Sequence, residues 1–222
     1  MVIILSIDLE CKVITWDEVY NMCKRLARLI EKSGFKPDTI IGLARSGFVP
    51  SRLLSDFMGV TDLVSLKVEH WLDTTAEHKE NATIPYKVPL NIAGRNVLIA
   101  DDIVDTGKSM LVTIDYVRQY KPKTLRTAVM QYVKSAQYVP DYYAVSVSRW
   151  AWFIYPWNFT EDVCNLTVRL LKASNCRSLD DIRAGLKEKL NIALDTKQMR
   201  EIITILRKRG KITRLKNGWK PI

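Results

Sequence analysis

The sequence predicts an α/β fold, a largely parallel sheet flanked by helices, followed by a smaller basic helical module. Three observations predict it. Short runs of β-branched and apolar residues alternate with stretches whose apolar residues recur at helical spacing, the pattern of strands joined by crossover helices. One apolar run, residues 97–100, passes straight into paired acids and a Thr-Gly turn. The net charge of +10 is also uneven: residues 160–222 hold 15 Lys and Arg against 7 Asp and Glu, a net of +8. Such asymmetry points to two modules, with boundaries expected at 1–159 and 160–222.

The elements follow in order. Residues 4–13 read as a strand interrupted by Asp8 and Glu10. Thr15 and Glu18 have the spacing of a capping box, which opens a helix running to Lys32. Val19, Met22, Leu26, Leu29 and Ile30 form its apolar stripe, and Gly34 and Pro37 close it. Residues 39–44 form a short apolar run of the buried parallel-strand type. A helix is expected over 50–58, ended by Gly59, then a strand over 62–68. Residues 69–89 lose the pattern, are polar and contain two prolines, so they are expected as an irregular mobile cover. A strand over 96–100, a helix over 107–120 and strands over 123–133 and 142–148 complete the core.

No apolar run approaches the ~18–20 residues of a membrane span, and the residues before Leu5 do not make a signal-peptide core. The chain is expected in the cytoplasm, with no membrane partner. Cys11, Cys23, Cys164 and Cys176 are widely spaced and two histidines complete the set, so zinc and a disulfide framework are not expected. Buried small hydrophobes are the expected role of all four.

The run VLIADDIVDTGKS, residues 97–109, carries the chemistry. Carboxylates at a strand's carboxyl end suit ribose hydroxyls and a hard cation such as Mg2+. Thr106, Gly107, Lys108 and Ser109 open the next helix, where backbone N–H groups and the helix dipole favour a phosphate. The spacing of a Walker loop is absent.

This run resembles the signature of the purine phosphoribosyltransferases, nearest to the short microbial xanthine–guanine type, and the resemblance spans roughly residues 10–160. It implies that Asp101 and Asp102 hold the ribose hydroxyls of phosphoribosyl pyrophosphate, with Asp102 also near Mg2+. It implies that Asp105 is the acid/base at purine N7, and that Val104 and residues 105–109 wrap the 5-phosphate. The run GLARSGFVP, residues 42–50, resembles the family's pyrophosphate loop, with Ala44, Arg45, Ser46 and Gly47 at its centre. Arg45 is the expected pyrophosphate contact, since a guanidinium grips phosphate oxygens in a fork. The resemblance further implies a strained or cis peptide in this loop, Lys134 as donor to the purine O6, and Trp152 as the stacking platform with Phe153 beside it. Trp150 competes for that role. Residues 152–157 resemble the family's hood segment. A homo-oligomer is the family's habit.

Beyond residue 159 the pattern becomes three helices and a hairpin, which looks like a winged helix. Ser178 and Asp195 are the expected caps of the second and third helices, and Asn217-Gly218 the expected turn. In that arrangement the third helix would carry Lys197, Arg200, Arg207, Lys208 and Arg209 toward a DNA groove. The seven interspersed acids favour an architectural role over nucleic-acid binding. The main functional expectation is an enzyme of purine salvage; its rival is a purine-responsive DNA-binding regulator that holds the activated sugar without turnover.

Overall fold

The computed structural model describes residues 9–73, 77–173 and 178–222. It divides into two compact units, Trp16–Trp150 and Met1–Thr15 together with Ala151–Ile222. The packing therefore breaks at 15/16 and 150/151, where the sequence reading sets a single boundary at 159/160.

The larger unit is built on a five-stranded parallel sheet of order β3-β2-β6-β7-β8. Its strands are β2 (Thr39–Ala44), β3 (Leu63–Lys67), β6 (Asn96–Val104), β7 (Thr124–Val133) and β8 (Tyr142–Val147). Continuous apolar runs form β2 and the first half of β6 because both faces of these strands are covered. Helices α1 (Trp16–Lys32) and α2 (Phe48–Met58) pack against each other, with Tyr20 edge-on to Phe57 at 5.1 Å. Helix α3 (Lys108–Arg118) lies on a different core, where Met110, Ile114 and Val117 meet Ile41, Leu43, Ile99 and Val129. The predicted helix over 50–58 starts two residues early, with Pro50 in its first turn, where a missing N–H costs nothing. Gly59 ends it in the left-handed conformation.

Two expectations for this unit are corrected. The strand predicted over 96–100 continues to Val104, pairing with β7 through Asp101, Ile103 and Val104. The two acids break the apolar pattern and mask the extension. Residues 69–89 are not irregular throughout: β4 (Glu69–Asp73) and β5 (Glu77–Thr83) form an antiparallel ribbon with register shifts. The register shifts interrupt the strict two-residue period by which a strand is read from a sequence.

In the smaller unit β1 (Cys11–Val13) pairs in parallel with β9 (Trp152–Ile154). Residues 4–8 of the expected first strand lie outside the described residues. The amide of Trp152 donates to Glu10 O at 2.8 Å, and that of Ile14 to Ile154 O at 2.9 Å. Next come α4 (Phe159–Ala173), α5 (Leu179–Leu190), α6 (Thr196–Lys208) and the hairpin β10 (Ile212–Leu215) and β11 (Gly218–Pro221). Capping boxes at Ser178/Asp181 and Asp195/Gln198 start α5 and α6 as predicted. The hairpin turn is shifted by one residue, with Lys216 and Asn217 in the loop and Gly218 opening β11 at φ 141°. One cluster joins Cys11 and Ile154 to Val163, Leu170, Leu186, Ile203, Leu206 and Trp219, so the helices supply the core behind β1 and β9. This explains the 150/151 break: short parallel strands have no hairpin of their own and need covering.

Cys11, Cys23 and Cys164 are free and buried, as expected; Cys176 lies outside the described residues. Burial pushes the Cys23 thiol up to about 12, so it is no nucleophile at neutral pH. No helix among the described residues is long and apolar enough to cross a membrane.

Leu170 of α4 is fully buried in the shared cluster. Leu170→Ala is expected to destabilise the protein by about 2–5 kcal/mol. Denaturant unfolding checks this, and a loss under about 1 kcal/mol would show that the cluster is not closed around it.

Candidate active site

In a parallel sheet every strand ends on the same edge. The order β3-β2-β6-β7-β8 reverses direction between β2 and β6, and a crevice opens at such a reversal outside the strands' carboxyl ends. β2 pairs with β6 only from Thr39/Val97 to Gly42/Ala100, then follows β3 to Ala44/Lys67 while β6 follows β7 to Val104. Arg45 leaves β2 here, Asp101 and Asp102 lie on β6 just past the parting, and Asp105 follows β6. Thr106 and Gly107 lead into α3, and Lys134 follows β7. All the candidates of this unit therefore share one edge.

The Ala44–Arg45 peptide is cis, in the loop where the sequence reading expects such a bond. Gly47 is required by close approach. A Cβ there would collide with the Asp101 carboxylate and come within 2.8 Å of Asp101 Cα and Leu43 O. Ser51 fastens the loop from behind, its hydroxyl donating to Gly47 O at 2.6 Å.

Asp102 is buried and Asp101 half-buried. The Asp102 amide donates to Asp101 Oδ1 at 2.9 Å, and the Ile103 amide to Asp102 Oδ1 at 2.9 Å. Burial and the adjacent Asp102 charge hold the Asp101 carboxyl well above the usual carboxylate range. Burial pushes Asp102 up to about 6 despite the hydrogen bonds that favour its charged form. No group of three or more metal-ligating side chains occurs among the described residues. The donor set thus suits a cation that takes one or two carboxylates and completes its shell from a bound substrate, as Mg2+ does with phosphates.

Gly107 caps α3 at φ 90° without a side chain of its own, and the Thr106 hydroxyl accepts from the Lys108 amide at a long 3.4 Å. A Cβ on Gly107 would lie 2.9 Å from Tyr138 Cβ, so glycine is needed both for conformation and for space. The helix start thus presents backbone donors and the positive dipole end together. Lys134 is exposed, its amide donating to Val147 O. In the smaller unit Trp152 and Phe153 are half-buried in β9, and Trp152 packs against the helical cluster. Trp150 is 37% exposed in the larger unit.

Sequence reasoning missed two members of this edge. Ser51 reads as an ordinary helix residue, and only the fold shows that it supports the loop. Lys67 ends β3 opposite Ala44 and pairs with Glu69 at 2.6 Å. Its signal, a lysine at the carboxyl end of a strand, is the same as that of Lys134.

The reversal crevice thus brings together an acidic pair, a loop carrying Arg45 and the start of a helix, where anions are favoured. Residues 15–162 match the phosphoribosyl transferase domain, and the chain belongs to that family. It is 30% identical over 149 residues to the xanthine-guanine phosphoribosyltransferase of Nitratidesulfovibrio vulgaris, a match covering 65% of this chain and 83% of the relative. It is 28% identical to the enzyme of the same name from Cereibacter sphaeroides, with 65% and 85% covered. Its fold is similar to the solved purine phosphoribosyltransferase of Pyrococcus horikoshii, at 29% identity and a TM-score of 0.58 over 67% of this chain and 94% of that one.

The acidic pair makes a signed prediction. A carboxyl whose pKa is raised on folding favours the fold fully below its unfolded value, and that contribution is lost as pH rises through the folded value. Asp101→Asn keeps the acceptor for the Asp102 amide and removes the charge. The ligand-free variant is expected to melt higher than the parent near neutral pH, with the gain vanishing toward about pH 4, the unfolded carboxyl range. Thermal melts across that window check it; a lower melting temperature at neutral pH would contradict the assignment.

Proposed function

We propose that this protein is a 6-oxopurine phosphoribosyltransferase, moving the phosphoribosyl group from phosphoribosyl pyrophosphate to N9 of hypoxanthine, guanine or xanthine and releasing pyrophosphate. The convergence of the acidic pair, the Arg45 loop and the open start of α3 at one reversal crevice carries this reading. The names of the relatives agree with it.

Asp101 and Asp102 accept hydrogen bonds from the ribose hydroxyls. Val104, Asp105, Thr106, Gly107, Lys108 and Ser109 cradle the 5-phosphate with backbone and hydroxyl donors. Arg45, held among Ala44, Ser46 and Gly47, receives the charge that builds on the departing pyrophosphate. Asp102 is the protein ligand that fits Mg2+, which when bound would neutralise pyrophosphate charge. The bond from ribose C1 to the pyrophosphate oxygen breaks as N9 supplies its electron pair to C1. Asp105 takes the proton from N7, which raises electron density at N9. Lys134 donates to O6, and Trp152, with Phe153, offers the aromatic surface of the base site. The ribbon of β4 and β5 is the cover that excludes water. Residues 160–222 form a winged-helix-like domain, and the enzyme works as a homo-oligomer in the cytoplasm.

Asp105→Asn is expected to lower kcat by roughly 10²–10⁴ while leaving affinity for phosphoribosyl pyrophosphate within a few-fold. Steady-state turnover with titration of the sugar separates the two, and unchanged kcat removes Asp105 from the acid/base role.

Base choice tests the oxopurine assignment. A lysine donor at O6 leaves a 6-amino purine with two opposed donors, a mismatch that sites of this kind reject strongly. Spectrophotometric assays are expected to show turnover with at least one of hypoxanthine, guanine and xanthine and little with adenine. Adenine used at comparable kcat/KM overturns the assignment.

A further inference from the structure

The basic excess of the C-terminal third is not spread through it. Residues 160–195 hold six Lys and Arg against six Asp and Glu, while residues 196–222 hold nine against one. The whole +8 therefore lies on α6 and the β10–β11 hairpin, and all nine basic side chains there are exposed.

Helix α6 separates its two faces cleanly. Met199, Ile202, Ile203 and Leu206 turn inward and are buried, and Lys197, Arg200, Thr204 and Lys208 turn outward with Glu201, the lone acid. No ion pair draws off Lys197, Arg200 or Lys208 among the described residues. The hairpin is held to the helix by stacking. Arg207 lies 5.6 Å and Arg214 4.7 Å from the ring centre of the buried Trp219. Lys216 stands exposed in the turn beside this lock.

We propose that α6 and the β10–β11 hairpin form a binding surface for duplex DNA, built from none of the residues assigned to phosphoribosyl transfer. The partner follows from what this surface has and lacks. It offers cations and a hydroxyl at regular spacing along about 20 Å of helix, a match for a phosphate backbone. Beside the outward residues of α6 the large apolar side chain is Ile205, half-buried against the cluster, and one such residue falls short of the apolar face that a membrane-surface helix needs. The outward face has no aromatic anchor of the kind that carries protein interfaces. A helix about 10–12 Å across enters the major groove of B-DNA, about 12 Å wide, and not the deep narrow groove of duplex RNA. The proposal does not depend on which base the enzyme uses.

The test uses the full chain, because removing residues 160–222 would uncover Cys11 and Ile154. Binding of a labelled mixed-sequence duplex of about 20–30 base pairs is followed by fluorescence anisotropy between about 0.05 and 0.2 M salt. The intact protein is expected to bind in the micromolar range at low salt, with log K falling by about 0.9 per phosphate contact against log salt. The triple variant Lys197→Ala, Arg200→Ala, Lys208→Ala is expected to lose about tenfold or more in affinity and roughly three units of that slope. Its melting temperature and phosphoribosyl transfer are expected to stay unchanged. No binding by the intact protein at low salt, or equal binding by the triple variant, overturns the proposal. So does equal affinity for duplex RNA, or capture by phosphatidylglycerol vesicles without binding to DNA. Should the variant fold poorly, the salt slope of the intact protein decides alone, and a slope shallower than about one overturns it.

Discussion

The parting of β2 from β6 is the constraint on which the site depends. A parallel sheet buried on both faces has no room for charge in its body, so its polar chemistry is driven to the strand ends. Once β2 turns away after Gly42/Ala100, β6 runs on beside β7 alone, and the position that would face a buried neighbour faces a crevice. Asp101 and Asp102 occupy that first stretch. Gly47 can then lie against Asp101 because it has no Cβ, and Ser51 holds it there. Sheet order, glycine and serine act together to set one basic loop beside one acidic pair.

The pair itself is held against its electrostatic preference. Burial pushes both carboxyls toward the protonated form, and at Asp101 the neighbouring Asp102 charge adds to it. Their amide hydrogen bonds offset only part of that cost. In the function proposed for it, the ribose hydroxyls and a cation would relieve what the protein alone does not.

The sequence made the site's chemistry legible because each part is local. The acids, the Thr-Gly turn and the helix start are contiguous in residues 97–109, and the capping boxes of α5 and α6 lie within four residues each. What escaped reading was made by distant partners. The last four residues of β6 are strand only because β7 pairs with them, and the β4–β5 ribbon pairs with shifts of register that blur its period. Cys11–Val13 finds Trp152–Ile154 about 140 residues away, so the packing boundary fell far from where composition changes. Ser51 and Lys67 are unremarkable in sequence, and only the sheet order gives them neighbours at the site.

Helix α6 brings these threads together, because one period of 3.6 residues serves two surfaces. Its inward residues belong to the cluster that covers β1 and β9, the second of which carries Trp152 and Phe153. The C-terminal module is thus no detachable appendage, because β9, the strand of Trp152 and Phe153, has its core there. Burial fixes Met199, Ile202, Ile203 and Leu206, but it places no demand on the residues between them. A merely solvated face would satisfy the fold with mixed charges, as α5 does with Asp180, Asp181, Arg183, Lys187, Glu188 and Lys189. Helix α6 and the hairpin depart from that mixture to nearly one sign, which costs self-repulsion and adds nothing to packing. A concentration of like charge that folding does not need is best explained by an anion outside the fold.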